Sequence, residues 1–386
     1  MIRAETLLGE MTGRGVTAVT GVPCSFLTPI INSVIGDPSV RYLAATQEGE
    51  AAALAAGAWL GGGLGCVISQ NSGLGNMVNP LTSLLNTARI PALLLVTWRG
   101  QPGRPDEPQH SLMGEITLPM LELMRVRSAV LDADPAALRA TMDTAFAAIE
   151  AHELPYTIVV PKGVVADEPL TEPALARKTC VVVRHGVTDH RPSRAEVLEQ
   201  LLATAPPDAA IVSTTGWTSR ELYTLDDREQ HFYLVGAMGS AIAVGLGVSL
   251  HSPRPTIVVD GDGALLMRMG SLATVGAHGG SNLVHLVLDN GVHDSTGGQR
   301  TLSGIVDLPA AAAACGYGQV HVCATSDDLS DALRSALAGQ GPSLIYLPIR
   351  PGSLSNLGRP KVTPSEVARR FRSFVTSGDR IQVGVS

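Results

Sequence analysis

The stretch VVDGDGALLMRMGS, from Val258 to Ser271, joins a β-branched apolar run to a helix-like segment through Asp-Gly-Asp-Gly. Such a run reads as a buried strand of a parallel sheet, so Asp262 stands with a glycine on each side at the strand's carboxyl tip. Between Gly263 and Asn290 lie 26 residues, and Asn290 itself ends a second apolar run, LVHLVLD. A strand, a helix and a strand in that order place Asp262 and Asn290 side by side on adjacent strand ends. A carboxylate, an amide and a backbone carbonyl are hard oxygen donors that suit Mg²⁺, which completes its octahedron with phosphate oxygens and water. Gly261 and Gly263 admit a phosphate close to the backbone, and a helix beginning near Ala264 turns its N–H groups toward that anion. The expected occupant is a metal-bridged diphosphate.

On either side of this stretch strands and helices alternate. In the first half the strand-like runs are TAVTGVP, RYLAA, GCVISQNSG, IPALLLVTW and YTIVVPKG; in the second they are AAIVSTTG, FYLVGAMG, PTIVVDGDG, LVHLVLDNG and SLIYLPI. Apolar strands without a polar face imply parallel sheets covered by helices. The fold expected is α/β, two doubly wound parallel-sheet domains at residues 1–170 and 193–386, joined by a proline-containing, charged linker at 171–192. The halves echo each other at an offset of roughly 190 residues: EGEAAALAAGAWLGGGLGCVISQNSG and GAMGSAIAVGLGVSLHSPRPTIVVDGDG share one order of small-residue helix, turn, strand and Gly-rich loop. In open parallel sheets ligands bind beyond the carboxyl ends of the strands, so each half offers loops at the same kind of edge.

Composition narrows the partners. The chain has 386 residues, 45% hydrophobic and 16% charged, with a formal net charge of -7. That balance suits a large buried core and a small-molecule ligand and gives no nucleic-acid surface. The cysteines (Cys24, Cys66, Cys180, Cys315, Cys323) are scattered and form no CxxC pair, so neither a disulfide framework nor a zinc or iron-sulfur site is expected, and a cytoplasmic setting fits. Acidic residues fall within the first ten positions, where no apolar stretch is long enough for a signal peptide. Ala51 to Ile68 is apolar or glycine throughout, yet Gly61, Gly62 and Gly63 would break a spanning helix; a buried helix, a turn and a strand are expected, and no membrane.

The GDG followed by Asn resembles the cofactor motif of the thiamine-diphosphate-dependent enzymes, and the resemblance covers almost the whole chain. It implies thiamine diphosphate with Mg²⁺, the metal held by Asp262, Asn290 and the carbonyl of Val292. It implies a glutamate at the start of a small-residue helix with a glycine nine positions on, which QEGEAAALAAG supplies as Glu48 and Gly57; Glu50 has the wrong spacing and ranks below. The glutamate would hydrogen-bond the pyrimidine nitrogen and pass a proton, and burial among alanines would raise its pKa. In LVGAMGSAIAVG, Met238 would support the bent cofactor and the carbonyl of Gly236 would accept from its amino group. STTGWTSREL resembles the first diphosphate loop, with Thr215 and Gly216 ahead of Ser219 as contacts. The family's frequent middle domain has no room here. The resemblance also implies a homodimer or higher homo-oligomer, with the pyrimidine-binding domain of one subunit facing the diphosphate-binding domain of the next.

GVPCSFL, SQNSGLGN, RGQPGRPDEPQHSLMG and DNGVHDSTGGQ resemble the decarboxylase branch that acts on pyruvates carrying an acidic group at C3. Where simple pyruvate decarboxylases carry an aspartate and a His-His pair, this chain has Ser25 and Gln109-His110. Losing that carboxylate relieves repulsion toward an anionic substrate tail, and Arg99, Arg104 and Arg300 are candidates to balance its charge. His110 and Gln109 are candidate catalytic groups, and His293 a candidate substrate contact. The expected substrate is a small anionic 2-oxo acid, a phosphonate being favoured over a sulfonate. A carboligase would need an acceptor site; a 2-oxoacid oxidoreductase would need a cysteine cluster; a protein that merely holds the cofactor would not need Glu48.

Overall fold

The computed structural model describes residues 1–377 except 173, 177 and 189; those three positions of the expected linker, and residues 378–386 of the expected C-terminal domain, lie outside the described residues. Apolar runs of the first half form β1 (Ala18–Gly21), β2 (Arg41–Ala44), β3 (Gly65–Ser69), β4 (Leu93–Thr97), β5 (Arg127–Val130) and β6 (Tyr156–Val160), paired in the order β2-β1-β3-β4-β6-β5. In the second half come β7 (Val181–Arg184), β8 (Ala210–Ser213), β9 (His231–Tyr233), β10 (Thr256–Gly261), β11 (Leu283–Asp289), a short antiparallel ribbon of β12 (Val292–His293) and β13 (Gln299–Arg300), then β14 (Gln319–Val322) and β15 (Ser343–Pro348). The second sheet runs β7-β14-β15-β11-β10-β8-β9, and every pairing in both sheets is parallel.

Read from its other edge and with β7 set aside, the second sheet repeats the first: β9-β8-β10-β11-β15-β14 matches β2-β1-β3-β4-β6-β5. The echo in the sequence is thus a repeat of topology. In each sheet the chain reverses its direction of travel about the first-formed strand, so loops diverge and leave a crevice at the carboxyl ends of β1 and β3, and again of β8 and β10. Besides the short ribbon of β12 and β13, three strands of the parallel sheets went unnoticed in the sequence pattern: β5, β14 and β7. Of these β7 lies within the stretch read as linker, and it pairs with β14 as an edge strand of the second sheet.

The helices Glu48–Leu60 and Ala241–His251 lie side by side between the sheets and are apolar almost all round. Only small residues allow such an approach. A Cβ added to Gly57 would stand 2.1 Å from the carbonyl oxygen of Val244, and one added to Gly247 would stand 2.5 Å from that of Leu54. The contact is reciprocal: Leu54 and Val244, and Gly57 and Gly247, are each 190 positions apart, as are Glu48 and Met238. A continuous apolar core runs through this contact from one domain into the other. The two domains of one chain thus pack on each other through these helices, near whose starts Gln47 and Glu50 share a cavity with Met238 and Arg268. After Leu60 the chain turns through Gly62, at φ +106°, into β3, as Gly61 to Gly63 implied. Among the described residues no helix is long and apolar enough to cross a membrane.

The helix contact sets an expectation for stability. Gly57→Ala forces backbone apart and is expected to cost about 1–3 kcal/mol in urea unfolding. Gly9→Ala, whose added Cβ meets nothing within 4 Å, should instead be neutral or stabilising by about 0.5–1 kcal/mol, since it removes only the entropic cost of a helical glycine.

Candidate active site

The register β10 to β11 pairs Gly261 with Leu288, so the next residue of each strand, Asp262 and Asp289, stand abreast and Asn290 follows at once. Asp262 begins a short helix and is 3% exposed. Its Oδ2 accepts from the Thr301 hydroxyl. Burial pushes the Asp262 carboxyl above the ordinary carboxylate range; the Thr301 bond draws it down in part, and neighbouring Asp289 pushes it up again. Asp289 accepts from the hydroxyls of Ser303 (2.9 Å) and Tyr346 (2.6 Å) and the N–H of Gly291 (2.9 Å), whereas Asp262, with Asp294, lines the crevice. The Asn290 amide donates to Asp294 Oδ2 at 2.7 Å, and its oxygen accepts from the Val292 N–H at 3.2 Å.

One crevice is lined by Thr215, Gly216, Met238, Gly261, Asp262, Gly263, Ala264, Asn290, Val292 and His293. Of the C-terminal candidates this omits Gly236, Ser219 and Arg300. Gly236 faces the N-terminal domain, where a Cβ would meet Ser83 at 2.7 Å. Ser219 is buried and donates to the carbonyl of Thr214 at 2.6 Å. Gly216, at φ +96°, caps the helix Trp217–Leu225, a backbone setting that L side chains rarely adopt. His293 folds over Gly263, where an added Cβ would stand 2.7 Å from Cε1. Arg300 lies across the ribbon from Val292 and is exposed.

These residues fit a Mg²⁺-diphosphate group. The donor set is one carboxylate, one amide and one carbonyl, all oxygen; among the described residues no trio of His, Cys, Asp or Glu side chains competes for a metal. The hydroxyl of Thr214, buried in the wall of the same crevice, has no hydrogen-bond partner, as expected of a group awaiting a ligand. Sequence reasoning missed the groups that brace the crevice. Arg194, 5% exposed, donates to Asp294 at 3.0 Å and pairs with Glu221 at 3.5 Å; burial raises the Glu221 carboxyl, against the pull of Arg194. In sequence Arg194 is only a charge at a helix start, and Thr301 carries no signal.

The N-terminal candidates gather at the carboxyl edge of the other sheet. Glu48 starts its helix and its carboxylate accepts from Asn76 Nδ2 at 2.7 Å, over Gly73, where a Cβ would press on Glu48 Cγ at 2.6 Å. It remains partly exposed, so the burial expected for it is found instead at Glu50, 1% exposed, held by the N–H and hydroxyl of Thr46, both at 2.7 Å. Glu50 and Gln47 share an interdomain cavity with Met238 and Arg268. Glu48 lines neither this cavity nor the diphosphate crevice of its own chain. Arg99 is not a free cation: Asp106 grips it at Nε (2.8 Å) and Nη2 (2.6 Å), holding the Asp106 carboxyl far below its usual range. Its Nη1 faces Ser25 Oγ at 3.4 Å, and Arg104 is exposed. His110 is buried behind Gly100, whereas Gln109 is exposed.

Comparison with known proteins adds identity to this geometry. Residues 1–119 match the N-terminal, and residues 210–347 the C-terminal, TPP binding domain of thiamine pyrophosphate enzymes. A phosphonopyruvate decarboxylase of Streptomyces viridochromogenes is 65% identical over 98% of this chain and 96% of its own length. A sulfopyruvate decarboxylase of Methanosarcina acetivorans is 29% identical over 95% and 96% respectively. Among solved structures, a thiamine diphosphate-dependent 4-hydroxybenzoylformate decarboxylase of Rhodococcus jostii superposes with a TM-score of 0.71 at 15% identity, over 92% of this chain and 100% of that one, and so shares the fold.

The crevice yields a graded expectation. Thr301→Ala should weaken Mg²⁺-dependent thiamine diphosphate binding about 10–100-fold, as loss of a ligand's supporting bond typically does. Asp262→Ala should weaken it further, beyond detection by calorimetry; wild-type affinity in that variant would remove Asp262 from the metal's ligands.

Proposed function

We propose that this chain, which belongs to the thiamine pyrophosphate enzyme family, is a carboxy-lyase that converts 3-phosphonopyruvate to phosphonoacetaldehyde and CO₂. The observation that carries this reading is the 65% identity to a phosphonopyruvate decarboxylase across nearly the full length of both chains. When bound, thiamine diphosphate supplies the electron sink into which the bonding pair passes as CO₂ leaves. The chain's own residues do the rest. Asp262, Asn290 and the Val292 carbonyl would hold Mg²⁺, Thr215, Gly216 and the Gly261–Ala264 backbone would receive the diphosphate, and Met238 and Gly236 would support the rest of the cofactor. Glu48 hydrogen-bonds the pyrimidine and moves a proton there. Ser25, Arg99 and Arg104 meet the phosphonate, while His110, Gln109 and His293 contact the reacting end and supply the proton that completes the aldehyde. The setting is the cytoplasm, in keeping with five free cysteines, and the aldehyde would feed phosphonate natural-product synthesis.

A site shaped for a phosphonate leaves donors unpaired when pyruvate binds, at about 1–3 kcal/mol for each that is buried. The expected kcat/KM preference for phosphonopyruvate over pyruvate is roughly two orders of magnitude or more, at about 1.4 kcal/mol per tenfold. CO₂ release from phosphonopyruvate, sulfopyruvate and pyruvate measured side by side decides it. Equal turnover of pyruvate would sink the anionic-substrate reading, and a clear win for sulfopyruvate would move the assignment to that activity.

The active unit is a homodimer or larger, with Glu48 of one subunit completing the crevice of the next. In support, Glu48 is partly exposed and lines neither crevice of its own chain. Mixing inactive Glu48→Gln and Asp262→Ala chains under subunit exchange should restore part of the activity; verified heterodimers without recovery would favour sites formed within single chains.

A further inference from the structure

The C-terminal crevice is built from the loops that follow β8, β10 and β11. Their counterparts in the N-terminal sheet, by the shared strand order, follow β1, β3 and β4. Those loops touch: the Cys24 thiol donates to Gln70 Oε1 at 3.4 Å, and Arg99 Nη1 donates to Ser25 Oγ at 3.4 Å. The loop after β6, the neighbour of β4, adds Lys162.

Charge at this sheet edge is unbalanced in a specific way. Asp106 cancels Arg99 and fixes its plane, leaving Nη1 as an oriented donor with little net field. The guanidinium carbon lies 4.5 Å from the centroid of the Phe26 ring, and Lys162 Nζ lies 5.8 Å from that same centroid. Arg104 Nη1 donates to the Lys162 carbonyl at 3.3 Å, which adds a further cation at this edge. Among the described residues the Lys162 ammonium has neither a hydrogen bond nor an ion pair, and the residue is exposed. Cations drawn to one aromatic ring repel one another and are settled by an anion placed between them.

We propose that Lys162 is the specificity-determining cation of the substrate site, holding the acidic group on C3 together with Arg99 Nη1 and Ser25 Oγ, and that Asp106 is a positioning residue for Arg99. This rests on the decarboxylase reading above. The flexible ammonium meets a phosphonate as a point charge, while the braced guanidinium gives the direction of approach. The preference then follows charge: a phosphonate carries up to two negative charges, a sulfonate one, and the methyl group of pyruvate none.

The experiment measures kcat and KM for all three keto acids with wild type, Lys162→Met and Lys162→Arg, each saturated with Mg²⁺ and thiamine diphosphate. The Met variant is expected to lower the phosphonopyruvate-to-pyruvate ratio of kcat/KM at least tenfold, chiefly through KM for phosphonopyruvate, with a smaller loss for sulfopyruvate. The Arg variant should keep most of the ratio, which a merely structural lysine would not require. Calorimetric cofactor affinity serves as the folding control. If wild type prefers phosphonopyruvate and the Met variant keeps the same ratio, Lys162 is a surface lysine and the inference falls while the decarboxylase reading stands. If wild type shows no preference, the reading fails and the inference with it.

Discussion

Gly57 and Gly247 let two buried helices touch backbone to backbone, and what each domain contributes to the site is placed relative to that contact. The helix Glu48–Leu60 carries Glu48 at its first turn, and the loop leading into Ala241–His251 carries Met238. Because the helices are alanine- and glycine-rich, their axes approach closely enough for the starts of both to reach the interdomain cavity. Arg268 of one domain then donates to Gln47 of the other at 2.8 Å, and the Ala237 N–H donates to Ser83 at 3.0 Å. Ala237 itself sits at φ +51°, a conformation an alanine adopts only when its surroundings hold it. Here the N-terminal domain does the holding, so the loop that presents Met238 depends on a residue from the other half of the chain.

The carboxyl edges of the two sheets differ in charge. Around Asp262 the protein offers oxygen donors and braces them with Thr301, Asp294 and Arg194, a setting that needs a cation before it can accept a diphosphate. Around Ser25 it offers cations and an oriented hydroxyl. On the proposed reading, a substrate with anionic ends and a cofactor with an anionic tail would meet opposite kinds of site.

Much of this was legible in the sequence, for physical reasons that also mark where legibility ended. Asp262 and Asn290 could be placed because parallel strands joined by a helix force consecutive carboxyl ends together, and the family resemblance then implied Val292. Met238, Gly216 and His293 lie in the loops named from pattern, and the structure brings them to one crevice. Arg194 and Thr301 could not be found, since they reach Asp294 and Asp262 from distant positions in the chain. The burial expected for Glu48 failed for a geometric reason. Residues two apart on a helix point about 200° away from each other, so Glu48 and Glu50 share one alanine-rich neighbourhood in sequence yet face opposite sides. Strand β5 (RSAV) escaped because an edge strand exposes residues on both faces and lacks the apolar run that marks a buried strand; β7 carries such a run (VVVR) but lies within the proline-containing, charged stretch read as linker.

The reciprocal contact of the two glycines also bears on descent. Two units with one strand order, crossing at equivalent glycines 190 positions apart, have the geometry of a symmetric pair of identical proteins. In such a pair one ancestral glycine would have served both sides of the axis, and duplication followed by fusion would have turned it into two. A Cβ added to either glycine would now press on the backbone of the other, so each position constrains its counterpart.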